Sequence, residues 1–437
     1  MCYNKRSVMV KHMVEQIREL VMERLIFHVD VNSAYLSWEA ARRVAAGEED
    51  LRLLPSAISG DPENRTGVIL AKSIPAKKYG VRTGEPVAMA LRKCPHLVLA
   101  RPDFRLYEKN SRAFMAICAR YAPVVEKFSI DECFLDMSGT QALYPDPIQI
   151  AHTMKDKIRE ELGFTVNIGI SRNKLLAKMA SDFEKPDKVH TLFPEDIPTK
   201  LWPLPVRELF SVGGATADKL ERAGIRTIGD LAAVSLSYAQ ILLGKKSGKQ
   251  LHDYANGIDP SPVLAEPEEA KGYSVSTTLA QDVTDADTAH KILLELADSV
   301  TARMRADHIK AYCIGVSIRS RDFKNRSHQR RLPDATDITK EVYEISKTLL
   351  AELWKGRFPL RLIGISLMQL VHEDAMQLSL FRDEEKDRAR KLDKALDDIR
   401  GRYGLDTIKR GSTLQSSQNV GKKYRAQLAE KDDEKKR

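Results

Sequence analysis

Three acidic residues stand in stretches that otherwise look buried: Asp30, closing "LIFHVD", and the adjacent pair Asp131 and Glu132 inside "KFSIDECFLDMSG". Phe128, Ile130, Phe134 and Leu135 are strand formers, and Gly139 closes the run. A regular strand sends successive side chains to opposite faces, so Asp131 and Glu132 would diverge. A carboxylate buried there without a partner carries a heavy desolvation cost. A tight turn or bulge at Asp131–Glu132 would let both converge. Two close carboxylates repel, and one takes up a proton unless a cation sits between them. With Asp30 from a neighbouring strand, the three could hold two Mg²⁺ ions about 3.5–4 Å apart, as in phosphoryl transfer. The other reading is a surface hairpin with solvated acids. The flanking apolar residues weigh against it, but spacing alone leaves both open.

The elements that must position these acids alternate. A strand is expected from Leu25 to Val31, a turn at Asn32-Ser33, and a helix ending at Gly47. "RTGVILAKSIPAKKYGVRTGEP" contains a second strand and a short basic segment broken at Pro75 and Gly80. A helix in "FRLYEKNSRAFMAICARYAP" precedes the acidic strand pair. Helix, strand and helix follow in "DPIQIAHTMKDKIREELG", "FTVNIGIS" and "RNKLLAKMASDFEKPDK", the last stopped by Pro186. This alternation, to about residue 192, predicts an α+β or α/β unit. Short glycine-punctuated helices run on to about Gly257, and the proline-rich "DPSPVLAEPEEAKGY" has the composition of a linker. From Tyr273 to Leu370 the order is strand, helix, strand, strand, helix, strand. Charged sequence follows His372, and no internal repeat is found.

A chain of 437 residues implies two to four domains. Its net charge of +9 favours a polyanionic partner. The five cysteines are scattered without a C-x-x-C pair, which argues against a zinc site or disulfide framework and fits a reducing cytoplasm. No apolar run approaches the roughly 18 residues of a membrane span. Residues 1–23 carry no signal core and are expected to form a leader outside the fold, with Met22 an alternative start.

"FHVDVNSAYLSWEAAR", "FSIDECFLDMSG", "NIGISRNKLLAKMASDFEKPD" and "SVGGATADKLERAGIRTIGDLA", in this order and spacing, resemble a Y-family (translesion) DNA polymerase over roughly residues 24–372. The D-x-N-S turn and the lysine of "SIPAKKYG" place it closer to the UmuC-like branch than to DinB enzymes. The resemblance implies an α+β multidomain, right-hand fold. Its parts are a palm (24–33 and 104–192), small fingers (34–103), a helix-hairpin-helix thumb (193–258), a linker (259–272), a βαββαβ little finger (273–372) and a charged tail (373–437).

The same resemblance implies roles by position. Asp30, Asp131 and Glu132, with the Val31 carbonyl, match the ligands of two Mg²⁺ ions. Tyr35 matches the steric gate against ribonucleotides, with Ala34 where an aromatic is usual. Lys77 replaces an arginine against the triphosphate, Ser73 is placed to donate nearby, Ile74 replaces a tyrosine, and Lys185 matches a lysine on the β- and γ-phosphates. In the thumb, Gly213 and Gly214 form the hairpin, and Thr227 caps the next helix with Asp230 three residues on. Ser211 stands at the family's first hairpin glycine, and Gly214 where a basic residue is usual. Nine basic residues lie between Arg303 and Arg331; Arg319 and Arg321 share strand parity and so could line one edge beside a DNA backbone. "MQLSLF" resembles a bacterial sliding-clamp peptide anchored by Gln377, Leu378, Leu380 and Phe381. Leu392, Leu396, Ile399 and Tyr403 share a face of a helix beyond it.

The expected protein is therefore a cytoplasmic, monomeric, low-fidelity DNA polymerase without proofreading. It would act on primer–template DNA and dNTPs and be tethered to a clamp. A non-catalytic DNA-binding adaptor on the same fold, and more remotely a nucleotidyl cyclase, are the competing classes.

Overall fold

The computed structural model describes residues 24–60, 67–266, 269–356, 358–372, 384–404, 407–408 and 411. The leader expected at 1–23 and the peptide residues Gln377, Leu378, Leu380 and Phe381 lie outside them. No helix among the described residues is long and apolar enough to cross a membrane. The chain divides into two units, one carrying everything to residue 266 and the other starting at 269.

In the first unit, five strands lie in the order β5 (Val124–Lys127), β6 (Glu132–Asp136), β1 (Ile26–Val31), β7 (Val166–Ser171) and β8 (Val189–Thr191). All neighbours are antiparallel except β7 and β8. The central strand β1 is buried throughout, and its alternation decides what each face contains. Phe27, Val29 and Val31, with Cys133 and Leu135 of β6, enter one apolar core. That core is closed by α1 (Ala34–Ala45), α4 (Phe104–Cys118) and α5 (Pro147–Leu162), through Trp38, Tyr107, Phe114 and Ile158. The helix α1, drawn with the fingers from sequence, packs into this core. Cys133 is a buried core residue with a free thiol.

The other face, bearing His28 and Asp30, is covered by α6 (Lys174–Ser181). Gly169 on β7 sets how closely this helix sits. A Cβ there would lie 2.0 Å from the Ala177 carbonyl oxygen and 2.5 Å from the Ser181 amide nitrogen. Two further bonds pin the end of α6: His28 Nδ1 lies 2.8 Å from Ser181 Oγ, and Asn167 Nδ2 donates to the Ser181 carbonyl at 3.1 Å.

A smaller sheet, β3–β2–β4, is built from β2 (Ser56–Ser59), β3 (Ile69–Lys72) and β4 (Val98–Ala100). It packs with α2 (Ile74–Lys78) and α3 (Val87–Lys93) around Ala57, Ile69, Val87 and Leu97. The sequence reading found one of these three strands, β3. The thumb helices α7 (Gly214–Arg222), α8 (Ile228–Ala233), α9 (Leu236–Leu243) and α10 (Lys245–Ala255) surround a core that also takes Leu175, Leu176 and Met179 from α6. The expected linker is not free at its start. Asp259 accepts from the Leu175 amide, Arg24 donates to the Ser261 carbonyl, and the Leu264 amide donates to Glu126, itself paired with Lys174 at 2.6 Å.

The second unit has the expected βαββαβ order: β9 (Gly272–Val283), α11 (Ala286–Ala306), β10 (Ile309–Ser320), β11 (Asn325–Thr336), α12 (Thr339–Trp354) and β12 (Leu360–His372). Its antiparallel sheet runs β11–β10–β12–β9. A last helix, α13 (Glu384–Tyr403), docks on this unit through its polar side. Arg305 bonds Asp397 at 2.7 Å and lies 3.5 Å from Asp393, which accepts from the Thr339 amide; Arg400 pairs with Asp298 at 2.8 Å. Leu392 and Tyr403, on the apolar face read from sequence, are 54% and 71% exposed.

Two substitutions test this packing. Gly169→Ala should destabilise the first unit by about 3 kcal/mol, the upper end of overpacking costs, read as a lower denaturant midpoint. Arg305→Met leaves the buried Asp393 and the half-buried Asp397 without their guanidinium, a loss of about 3 kcal/mol. Amide hydrogen exchange should show α13 deprotected while β9–β12 keep their protection.

Candidate active site

Asp30 and Glu132 are register partners across the β1–β6 ladder, so their side chains leave the sheet on one face, toward α6. Asp131 lies just before β6, at the end of a reversal over residues 128–131. The Phe128 and Ser129 amides donate to the Glu132 carbonyl at 3.0 and 3.1 Å, and the Val31 amide donates to the Asp131 carbonyl at 3.0 Å. The turn therefore ends at the acidic pair, rather than being centred at Asp131–Glu132 as expected from sequence. The Asp131 carboxylate points back into the turn, accepting from Ser129 Oγ at 2.6 Å.

Two ammonium groups meet the Asp30–Glu132 pair. Lys178, from α6, donates to Glu132 Oε1, with its Nζ 3.7 Å from Asp30 Oδ2 and 3.5 Å from Asp182 Oδ2. Lys185 donates to Asp30 Oδ2 at 2.5 Å and reaches Asp182 at 2.8 Å. Burial raises the carboxyls of Asp30 and Glu132, against the pull of these lysines. For the lysines burial works the other way, and the facing carboxylates outweigh it and raise both ammoniums. Lys178 escaped the sequence reading. Its signal was a lysine among Leu175, Leu176, Ala177, Met179 and Ala180, every one of them buried.

The donor set suits a hard divalent cation: carboxylates from adjoining backbone segments, two sharing a sheet face, already attracting cations. As the side chains stand, no group of three potential metal ligands is gathered among the described residues. The Asp131 carboxylate is engaged by Ser129 instead.

Tyr35, in the first turn of α1, stacks on Tyr107 with centroids 4.6 Å apart and planes 11° from parallel. Burial, then the charge of Asp131, raise its phenol. On the small sheet, Lys77 is exposed on α2, and Lys72 is lowered by burial and by the charge of Lys77, so two cations neighbour each other there. Ile74 is 56% exposed. Ser73 must be corrected as a ligand donor. It is buried, caps α2 by accepting from the Ala76 amide, accepts also from the Ser56 amide, and donates to the Leu54 carbonyl at 2.7 Å. Lys185, expected on a phosphate, is held here by Asp30 and Asp182.

In the thumb, Ser211 takes the left-handed hairpin position at φ 72°, Gly213 is the N-cap of α7 and Gly214 its first residue. Thr227 and Asp230 form the expected capping box on α8. A second hairpin went unread: Gly244, at φ 88°, joins α9 to α10 and brings Lys245, Lys246 and Lys249 to the surface. Gly248 lets those helices touch, since a Cβ there would lie 2.5 Å from the Ala239 carbonyl oxygen.

In the second unit, the parity argument for Arg319 and Arg321 fails. The ladder shifts register at Arg319/Ser320, β10 ends at Ser320, and Arg321 lies beyond it, 3.8 Å from Asp282. Arg319 bonds Asn325 at 2.7 Å. Of the other basic residues, Arg305 and Lys310 are buried or nearly so. Arg321 and Lys324, beyond β10, are largely exposed, and on the edge strand β11 Arg326, His328 and Arg330 share one exposed face, where His328 and Arg330 both contact Glu352.

Comparison with known proteins places the chain in a family. The sequence signature of the impB/mucB/samB family matches residues 29–182, its C-terminal domain 270–380, and the DNA polymerase-iota thumb domain 207–259. The chain is 43% identical over 398 residues to a protein of Clostridium acetobutylicum described as DNA polymerase IV, covering 91% of this chain and 100% of that one. Those of Clostridium kluyveri and Alkaliphilus oremlandii, with the same description, are 39% and 37% identical, covering 91% and 90% of this chain and 100% of each relative. A solved Y-family DNA polymerase chimera superposes with a TM-score of 0.69 at 22% identity, covering 80% of this chain and 99% of that one. These relatives lend no support to the UmuC-like branch expected from the D-x-N-S turn, since all three are described as DNA polymerase IV.

Proposed function

The chain belongs to the Y family of translesion DNA polymerases, and we propose that it extends primers by template-directed nucleotidyl transfer, including across damaged template positions. The observation that carries this reading is the Asp30–Glu132 pair, opposed in register with Asp131 at the adjoining turn and ammonium groups already drawn to it. An adaptor without catalysis has no need to bury such a pair.

Two Mg²⁺ ions held by Asp30, Asp131, Glu132 and the Val31 carbonyl would acidify the primer 3′-hydroxyl and neutralise the triphosphate charge. Asp131 serves this set by leaving Ser129. Lys185, whose side chain is 36% exposed, can exchange Asp30 for a phosphate oxygen, and Lys72 and Lys77 offer two further charges from the small sheet. Tyr35, backed by Tyr107, presents a fixed ring edge to the sugar and excludes a 2′-hydroxyl. The two thumb hairpins and the basic face of β11 grip the DNA backbone without reading sequence. A fingers sheet of three strands, none longer than four residues, leaves the nascent pair little covered, which favours low fidelity. In this reading synthesis proceeds without proofreading, in the cytoplasm. The peptide Gln377 to Phe381 tethers the enzyme to a sliding clamp.

A primer-extension assay with Mg²⁺ tests this. Wild type should extend, and Asp131→Ala and Glu132→Ala should each lose more than about a hundredfold, since even outer partners of metal ligands cost 10–100-fold. No extension by wild type would leave the adaptor standing. Unchanged extension by both variants would remove the site. Tyr35→Ala should raise ribonucleotide incorporation while dNTP extension continues. Deleting Gln377 to Phe381 should abolish clamp stimulation and leave clamp-free extension intact.

A further inference from the structure

The two lysines at the acidic centre are not equivalent. Lys178 projects from α6, a helix fixed by its contact with Gly169 and by the bonds to Ser181, and its side chain is 10% exposed. Lys185 lies beyond the helix end and is 36% exposed. A third acid, Asp182, faces both. The cation that can depart is Lys185; Lys178 is built in.

The oxygens it engages matter as much. Lys178 takes Glu132 Oε1 and stands near Asp30 Oδ2, which Lys185 also takes. Glu132 Oε2 and Asp30 Oδ1 accept no hydrogen bond among the described residues. A cation that merely filled the metal's place would engage the oxygens a metal needs. One that bonds a single oxygen of Glu132, stands 3.7 Å from a single oxygen of Asp30 and leaves the other oxygen of each open is placed to orient them.

We infer that Lys178 is the positioning residue of the metal centre: its ammonium stays in place and presents Glu132 and Asp30 to the divalent cation. This rests on the metal reading above. It reverses the expectation from charge alone. A neighbouring positive charge should repel a divalent cation, so removing it would tighten binding by Coulomb's law. A positioner acts in the opposite sense, because without it two repelling carboxylates separate and the site must be assembled at the cation's expense.

The test is Mn²⁺ binding to the full chain by isothermal titration calorimetry, with thermal melts as a check on folding. Lys178→Met, similar in length and uncharged, should weaken Mn²⁺ binding about 10–100-fold, the range for partners that orient metal ligands. Lys178→Arg should recover most of the loss, and Lys185→Met should leave binding unchanged or tighter. Should the Met variant not fold, Lys178→Gln carries the same expectation. Affinity unchanged or increased in the folded Lys178 variant would overturn the inference while the metal reading stands. Wild-type binding insensitive to Asp30→Asn would overturn both.

Discussion

Like charge buried on one sheet face is the constraint around which the first unit is arranged. Asp30 and Glu132 are held opposite each other by the β1–β6 register, with Asp131 beside them, and none of these positions can be moved without breaking the ladder. Carboxylates in such a place are tolerable only with cations among them. α6 supplies the first, Lys178, and can do so because Gly169 lets the helix lie against the sheet with no side chain between.

The same helix ties the site to the rest of the unit. One side of α6 meets the face bearing His28 and Asp30, while Leu175, Leu176 and Met179 enter the thumb core, and Lys174 joins Glu126 and the chain after the thumb. A change in the thumb helices is therefore felt at the helix that carries Lys178. The second unit has its own apolar core, and its charge is divided between an ion cluster that anchors α13 and an exposed edge strand. The buried cluster is structural.

What was legible in the sequence was whatever depended on local pattern. Flanking apolar residues drew attention to Asp30, Asp131 and Glu132, whose assignment as a set came from the family resemblance, and Thr227 with Asp230 announced its own cap. Misreadings arose where a long-range partner decided the outcome. Ser73 looked like a free donor because Leu54 and Ser56, which consume its hydroxyl, reach it only through the β2–β3 pairing. Arg321 lost its parity with Arg319 to a register shift set by β12. Lys178 went unnoticed because a lysine in a helix is usually solvated, and only the sheet beneath makes it a buried charge. The face of α13 that docks is its polar one, since the groups it meets, Arg305, Asp298 and the Thr339 amide, are themselves polar.

The account turns on Asp131 joining Asp30 and Glu132 when cations and substrate arrive. A crystal structure of the full chain with primer–template, an unreactive dNTP analogue and Mg²⁺ measures this directly. The predicted result has Asp131 released from Ser129, with carboxylate oxygens of Asp30 and Asp131 within about 2.0–2.1 Å of bound Mg²⁺ and Lys178 still on Glu132. Asp131 remaining on Ser129, with no ion between it and Asp30, would contradict it.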